Sequence, residues 1–238
     1  MSAPDPLSAT PPAATLAGLP AAAPAGAARI EALFVASGAL RSGHFALKSG
    51  RHGDRYLEKF QVLQYADAVS EICAAFAALV RDADGRPTVD AVVGPTTGGV
   101  ILAFETARQL GLRGLFAEEV KDAEGAARRE FRRGFHLEPG SRVLLVDDIL
   151  TTGGSLLAML PPIEASGAEL AMAAVIVDRS GGTREVTSPA SGRSYPVEAL
   201  WTLDIPTFEP GAATCPACAA GQPLEAPGSS GTKAPSAG

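Results

Sequence analysis

The chain has 238 residues, 46% of them hydrophobic and 19% charged, with a formal net charge of -6. That length suits one domain with its own core, and no apolar run approaches the roughly 20 residues of a membrane-spanning helix. With no basic region leading into an apolar stretch at the start, a cytoplasmic location without membrane contact is expected; the acidic balance argues against a nucleic-acid partner, so an anionic ligand would need local cations.

Residues 1–27 are almost entirely Ala, Pro, Ser, Gly, Thr and Leu, a composition unable to hold a core, and the segment is expected to be a disordered tail. Residues 226–238 read as a second flexible tail, leaving 28–225 as the folded domain. In "ARIEALFVASGAL", Ile30, Leu33 and Phe34 share a helical face that ends near Gly38. "ADAVSEICAAFAALVRD" sets Val69, Ile72, Cys73, Phe76 and Val80 at helical spacing, and Cys73 reads as core. "VDAVVG" is a short apolar strand. "GVILAFETARQLG" follows as a helix with Ile101, Phe104 and Ala107 on one face and Gly111 as its stop. "RGLFAE" is the next strand, and the charged "KDAEGAARREF" after it reads as a mobile loop. "RVLLVDD", a helix from about Ser155 to Ala165, and the strand "ELAMAAVIVDR" complete the alternation.

Strands apolar on both faces, alternating with amphipathic helices, predict an α/β fold with a central, mainly parallel sheet flanked by helices. Ligands of such sheets sit beyond the carboxyl ends of the strands, which directs attention to the loops after "VDAVVG" and "RVLLV".

The second loop, "DDILTTGGS", places Gly153 and Gly154 where backbone can approach a ligand and adds the hydroxyls of Thr151, Thr152 and Ser155. With the free N–H groups of the following helix this is an anion site suited to phosphate. Neither GxxxxGK[ST] nor GxGxxG is present. Two carboxylates, Asp147 and Asp148, beside a phosphate turn would repel the anion unless they face another part of the ligand, and sugar hydroxyls of a phosphorylated ribose meet that need. Cys215 and Cys218 form a single CxxC, a weak zinc or redox signal without a second pair or nearby histidines, so no metal site within the protein is expected.

"VLLVDDILTTGGS" resembles the motif of the type I phosphoribosyltransferases, the enzymes that use phosphoribosyl pyrophosphate. "GHFALKSGRHGDRYLEK" resembles the substrate hood of the orotate-specific branch, and "CPACAAGQPLEAPGS" its bacterial C-termini. The resemblance covers about Ile30 to Ser229. It implies a hood built from N- and C-terminal segments, and transfer of phosphoribosyl to orotate, giving orotidine 5-monophosphate and pyrophosphate in pyrimidine biosynthesis. It further implies Mg²⁺ carried by the substrate, with no metal held by the protein, and a homodimer sharing a loop across its interface.

In residue terms, the resemblance gives Asp147 and Asp148 the ribose hydroxyls and a stabilising role at the anomeric carbon. Ile149 and Leu150 lead into the 5-phosphate turn Thr151, Thr152, Gly153, Gly154 and Ser155. The turn Thr96, Thr97 and Gly98 within "GPTTGG" takes pyrophosphate, although a lysine common in that loop is absent. Lys48 and Arg51 match basic hood positions, Tyr56 matches the position that stacks on the pyrimidine, and Arg179 matches the arginine assigned to orotate. Lys121, with Arg128 and Arg129 behind it, is the loop cation expected to assist pyrophosphate departure; Glu119 stands where a basic residue is usual. The alternatives are a transferase for another base, and a phosphoribosyl-pyrophosphate-sensing regulator or low-activity paralogue.

Overall fold

The computed structural model describes residues 26–47, 49–123 and 125–227. Most of both expected tails, and Lys48, therefore lie outside the described residues. Helix α1 (Ala27–Ala36) leads into an antiparallel hairpin, β1 (Leu40–Ala46) and β2 (His52–Leu57). The short helix α2 (Phe60–Leu63) and the longer α3 (Ala66–Leu79) follow, then β3 (Ala91–Pro95), α4 (Gly98–Leu110), β4 (Arg113–Lys121) and β5 (Ala127–Phe131). The second half runs β6 (Arg142–Leu150), α5 (Gly154–Ala165), β7 (Glu169–Asp178), β8 (Glu185–Thr187), β9 (Ser194–Thr202), β10 (Thr207–Phe208) and α6 (Pro216–Ala219).

Seven strands form one sheet in the order β5-β4-β3-β6-β7-β9-β8. The inner pairs are parallel, and only β5 and β8, at the two edges, run antiparallel to their neighbours. Strand β3 is buried along its whole length and β6 nearly so, as expected for central strands covered on both faces. On one face, Val92, Leu144, Val146 and Ile176 pack with Ile30, Phe34, Ile72, Phe76 and Leu102 from α1, α3 and α4. On the other, Val93, Leu145, Ala173 and Val175 pack with Leu156, Met159, Leu160 and Ile163 from α5. Cys73 is fully buried in the first layer, and burial pushes its thiol up to about 12, consistent with its reading as core.

The expected hood is a second, three-stranded sheet, β1-β2-β10, so the chain's C-terminal part returns to cover its N-terminal hairpin. This is the type I phosphoribosyltransferase arrangement of a central sheet with a small hood.

Two local expectations need correction. Helix α4 buries Leu102, Ala103, Thr106, Ala107 and Leu110, whereas Ile101 and Phe104 are 37% and 67% exposed. Its apolar residues run around more than one face, so spacing alone selected the wrong stripe. The segment read as a mobile loop is largely an antiparallel hairpin, with Glu119 opposite Arg129 and Lys121 opposite Ala127. The opposite charges of Glu119 and Arg129 face each other across that pair, and Arg133 and Arg128 neutralise Glu118 and Glu130, which would otherwise meet as like charges.

The α4 correction has a measurable consequence. Leu102→Ala is expected to cost about 2–5 kcal/mol in urea unfolding, the range for a fully buried leucine, while a protein built with Ile101 and Phe104 inside and Leu102 outside would lose almost nothing.

Candidate active site

The carboxyl ends of β3 and β6 lie side by side in the sheet. After β3 the chain makes the turn through Thr96 and Thr97 into α4, and the Thr96–Thr97 peptide is cis. Here Gly98 is required by close approach: a Cβ on it would lie 2.0 Å from an Asp148 carboxylate oxygen. The Gly-rich turn and the acidic pair thus abut directly.

Asp147 and Asp148 are 5% and 3% exposed. Asp147 Oδ1 accepts the Asp148 backbone N–H at 2.8 Å, and Asp148 Oδ1 accepts that of Ile149 at 2.8 Å. The Lys59 ammonium lies 2.8 Å and 2.7 Å from the two Asp148 oxygens. Among the described residues Asp147 has no such cation: burial first, and the Asp148 charge second, push its carboxyl up to about 6, against a hydrogen bond from Ser155 and the field of Lys59. The pair is therefore asymmetric, one acid neutralised by a lysine and the other poised to gain from a polar or cationic ligand.

Thr151, Thr152, Gly154 and Ser155 line an exposed turn between β6 and α5. Gly153, at φ +78, takes the left-handed conformation that lets this turn enter the helix. Ile149 faces a cavity of about 310 Å³ together with Tyr56, Lys59 and Arg179. Leu150 is different: its side chain is buried in the core, and its carbonyl accepts the Arg179 backbone N–H at 2.8 Å.

Arg179 is held in that cavity wall with its Nε buried and without a hydrogen-bond partner, and burial lowers its pKa against the opposing charge of Asp204. An unpaired guanidinium donor beside a tyrosine ring suits a planar anion. Tyr56 sits on β2 with its ring 5.6 Å from that of Phe45, its hydroxyl pKa raised chiefly by burial.

Of the residues selected from sequence, Tyr56, Ile149 and Arg179 line one cavity; Asp148 reaches that cavity's Lys59, Gly98 abuts Asp148, and Ser155 of the second turn bonds Asp147. Others are placed elsewhere. Arg51 is turned away, bonding Glu209 and, at 2.8 Å, Thr207. Lys121 is exposed at the outer end of β4. Arg129, in contrast, donates to Thr96 Oγ1 at 2.7 Å, with Glu119 3.7 Å away. Lys59 was missed by sequence reasoning; its one sequence signal is its place as the closing lysine of the hood segment, and its acid partner is 89 residues distant.

A family model described as the phosphoribosyl transferase domain matches residues 61–200. The orotate phosphoribosyltransferase of Pelotomaculum thermopropionicum is 41% identical over 84% of this chain and 96% of its own length. That of Thermotoga maritima is 38% identical over 86% of this chain and 100% of its own. Among solved structures, the orotate phosphoribosyltransferase of Mycobacterium tuberculosis superposes with a TM-score of 0.55 at 24% identity, covering 73% of this chain and 95% of that one, a likeness of fold. Joined to a site of paired acids, two small-residue turns and an arginine-lined cavity, these matches show that the chain belongs to the orotate phosphoribosyltransferases, within the phosphoribosyl transferase family.

Proposed function

We propose that the chain transfers the phosphoribosyl group from phosphoribosyl pyrophosphate to N1 of orotate, giving orotidine 5-monophosphate and pyrophosphate. The observation that carries this reading is the contact of Asp148 with Gly98 of the first turn and with Lys59, which lines a cavity walled also by Tyr56, Ile149 and Arg179. Phosphate would occupy the Thr151–Ser155 turn, held by α5 N–H groups and hydroxyls. The ribose hydroxyls would donate to Asp147 and Asp148, and pyrophosphate would lie against Thr96, Thr97 and Gly98. Orotate would then lie between Tyr56 and Arg179, its carboxylate answering the unpaired guanidinium donor.

As the bond from the anomeric carbon to pyrophosphate breaks and the bond to N1 forms, positive charge grows on the sugar. The fixed negative field of the two acids favours it, while N1 loses its proton to solvent or to the departing pyrophosphate. Catalysis on this account is positioning and charge stabilisation, without a covalent enzyme intermediate. Mg²⁺ would arrive on the pyrophosphate and keep most of its waters, as that ion does with phosphate ligands.

The same proposal includes a homodimer in which Lys121 reaches the partner's pyrophosphate. Supporting it are the exposed Ile101 and Phe104 on the outer face of α4 and the placement of Lys121 away from its own cavity. Arg129, bonded to Thr96, would orient the pyrophosphate turn from within the same chain. A cytoplasmic location belongs to the proposal as well; among the described residues no helix is long and apolar enough to cross a membrane.

Orotate absorbance is expected to fall when the protein is supplied with phosphoribosyl pyrophosphate and Mg²⁺, and no change on omission of Mg²⁺ would contradict the carried-metal step. Arg179→Ala is expected to raise the KM for orotate about 10- to 100-fold, the equivalent of one charge-assisted hydrogen bond; an unaltered KM would remove Arg179 from the orotate contact. Lys121→Ala should lower kcat about 100-fold with little change in KM, and Phe104→Asp should shift the protein toward monomer in gel filtration.

Asp147→Asn separates stability from activity. The folded carboxyl titrates above its ordinary value of 3.8, at about 6, so between those values the native state holds the extra proton and stability declines as pH rises. Above about 6 the full penalty of a buried charge is present, and asparagine lacks it. Asp147→Asn is therefore expected to lose about 100-fold or more in kcat/KM yet to melt at or above the wild-type temperature at pH 8, the difference vanishing near pH 4. A variant less stable at pH 8 than at pH 4, relative to wild type, would contradict the burial argument.

A further inference from the structure

At the hood hairpin, four side chains from two distant parts of the sequence converge. His44 lies on β1, His52 opens β2, and Cys215 and Cys218 bracket the start of α6. One ligating atom from each lies within 4.8 Å of all the others. His44, His52 and Cys215 are buried, Cys218 is half-buried, and neither thiol is in a disulfide.

The distances match a tetrahedral ion. Zinc bonds of about 2.0–2.1 Å to nitrogen and about 2.3 Å to sulfur place nitrogen and sulfur ligands roughly 3.5 Å apart on a tetrahedron. Here Cys215 Sγ is 3.6 Å and Cys218 Sγ 3.5 Å from His44 Nε2, and Cys218 Sγ is 3.3 Å from His52 Nδ1. The two ring nitrogens, 2.8 Å apart, need open by only about half an ångström to match the same tetrahedron.

The surroundings prepare the ligands. His44 Nδ1 is 2.9 Å from the Gln222 carbonyl oxygen; since a carbonyl only accepts, Nδ1 carries the proton and Nε2 presents its lone pair to the cluster. That is the outer-shell bond that metal-bound histidines usually make. Local backbone geometry also serves the site. The β1–β2 register slips between Ser42 and Phe45, so His44 and Phe45 are buried in succession and the His44 ring turns to the face that carries His52.

A second observation concerns cohesion. From Gly211 to Pro227 only Cys215 is buried, while Leu224 is 49% exposed. No hydrophobic anchor holds this segment, yet it returns as a bridge from Glu225 to Phe45 and supplies Pro227 to the cavity wall. A metal tie gives a physical reason for its fixed course.

We propose that His44, His52, Cys215 and Cys218 bind one structural zinc ion that fastens the C-terminal knuckle to the hood hairpin. Two histidines and two cysteines fill all four positions, which leaves no open place for water or substrate and excludes a catalytic role for the ion. The donors form a soft S₂N₂ set that selects zinc over the oxygen-bound Mg²⁺ of the substrate.

The test uses the full chain, produced in zinc-supplemented medium and passed through gel filtration without chelator. Elemental analysis is expected to give about one zinc per chain. Cobalt added to chelator-stripped, reduced protein should produce visible tetrahedral bands and a near-ultraviolet thiolate charge-transfer band. His52→Ala and the double change Cys215→Ser with Cys218→Ser should each reduce zinc to background. Since either variant could unfold, the wild-type cobalt spectrum decides independently. The proposal is overturned if wild-type protein holds less than about a tenth of an equivalent and gives no such spectrum, if its zinc survives in both variants, or if Cys215 and Cys218 are found joined in a disulfide. These readouts stand apart from orotate turnover, so loss of one reading leaves the other intact.

Discussion

The ion pair of Lys59 with Asp148 ties together the parts on which the site depends. Asp148 lies near the carboxyl end of the central strand β6, Lys59 immediately precedes α2 on the way from hood to sheet, and Gly98 opens α4 against the same carboxylate. A carboxylate 3% exposed is costly to hold without a cation. Lys59 supplies that cation from a side chain 32% exposed, so its position is set by the acid rather than by packing of its own. One charge contact therefore fixes the distance between the floor of the site and the hood hairpin. The neighbouring Asp147 gains no equivalent partner, and the two acids differ in what they can do: one is satisfied by the protein, the other is left for a ligand.

That asymmetry explains a feature otherwise at odds with stability. A second buried acid with a raised pKa lowers the stability of the ligand-free fold at neutral pH. The cost falls where reacting charge is expected to develop, a common relation between strain in a site and its chemistry. The surrounding architecture can absorb it because β3, β6 and β7 lie between two well-filled hydrophobic layers.

What could be read in the sequence follows from the range of each interaction. The β6–turn–α5 unit was legible because its strand, its acids and its phosphate turn are consecutive residues. The parallel sheet was legible because β3 and β6 are apolar on both faces. The face of α4 was not, since Ile101 and Phe104 are as apolar as Leu102 and the choice between stripes is made by neighbours distant in sequence. The same limit hid Lys59, whose acid is 89 residues away, and weakened the reading of the CxxC, whose histidines stand 166 to 174 residues before Cys218 and look in sequence like ordinary hood residues. The charged segment after β4 misled for another reason: composition measures polarity, and a charged residue such as Glu119 can face Arg129 across a hairpin as readily as it can solvate a loop.

The hood carries the last step. It is a three-stranded sheet whose third strand has two residues, too little to hold itself by ladder bonds or by a core. Besides the burial of Leu40 and Phe45, its order draws on cross-links: Arg41 to Glu225 at 2.6 Å, Arg51 to Glu209 and Thr207, and the histidine–cysteine cluster. The first two involve partly exposed side chains and are correspondingly weak in water. The cluster is the buried one, and it joins both strands of the hairpin to the segment that carries Pro227. Ala46, Leu47 and Tyr56, which face the cavity, stand on or beside those same two strands. The shape of the cavity on the hood side therefore rests on these polar contacts as well as on the packing of Leu40, Phe45 and Leu57, and this is a physical reason to expect that hood order and substrate affinity vary together while the sheet beneath remains unchanged.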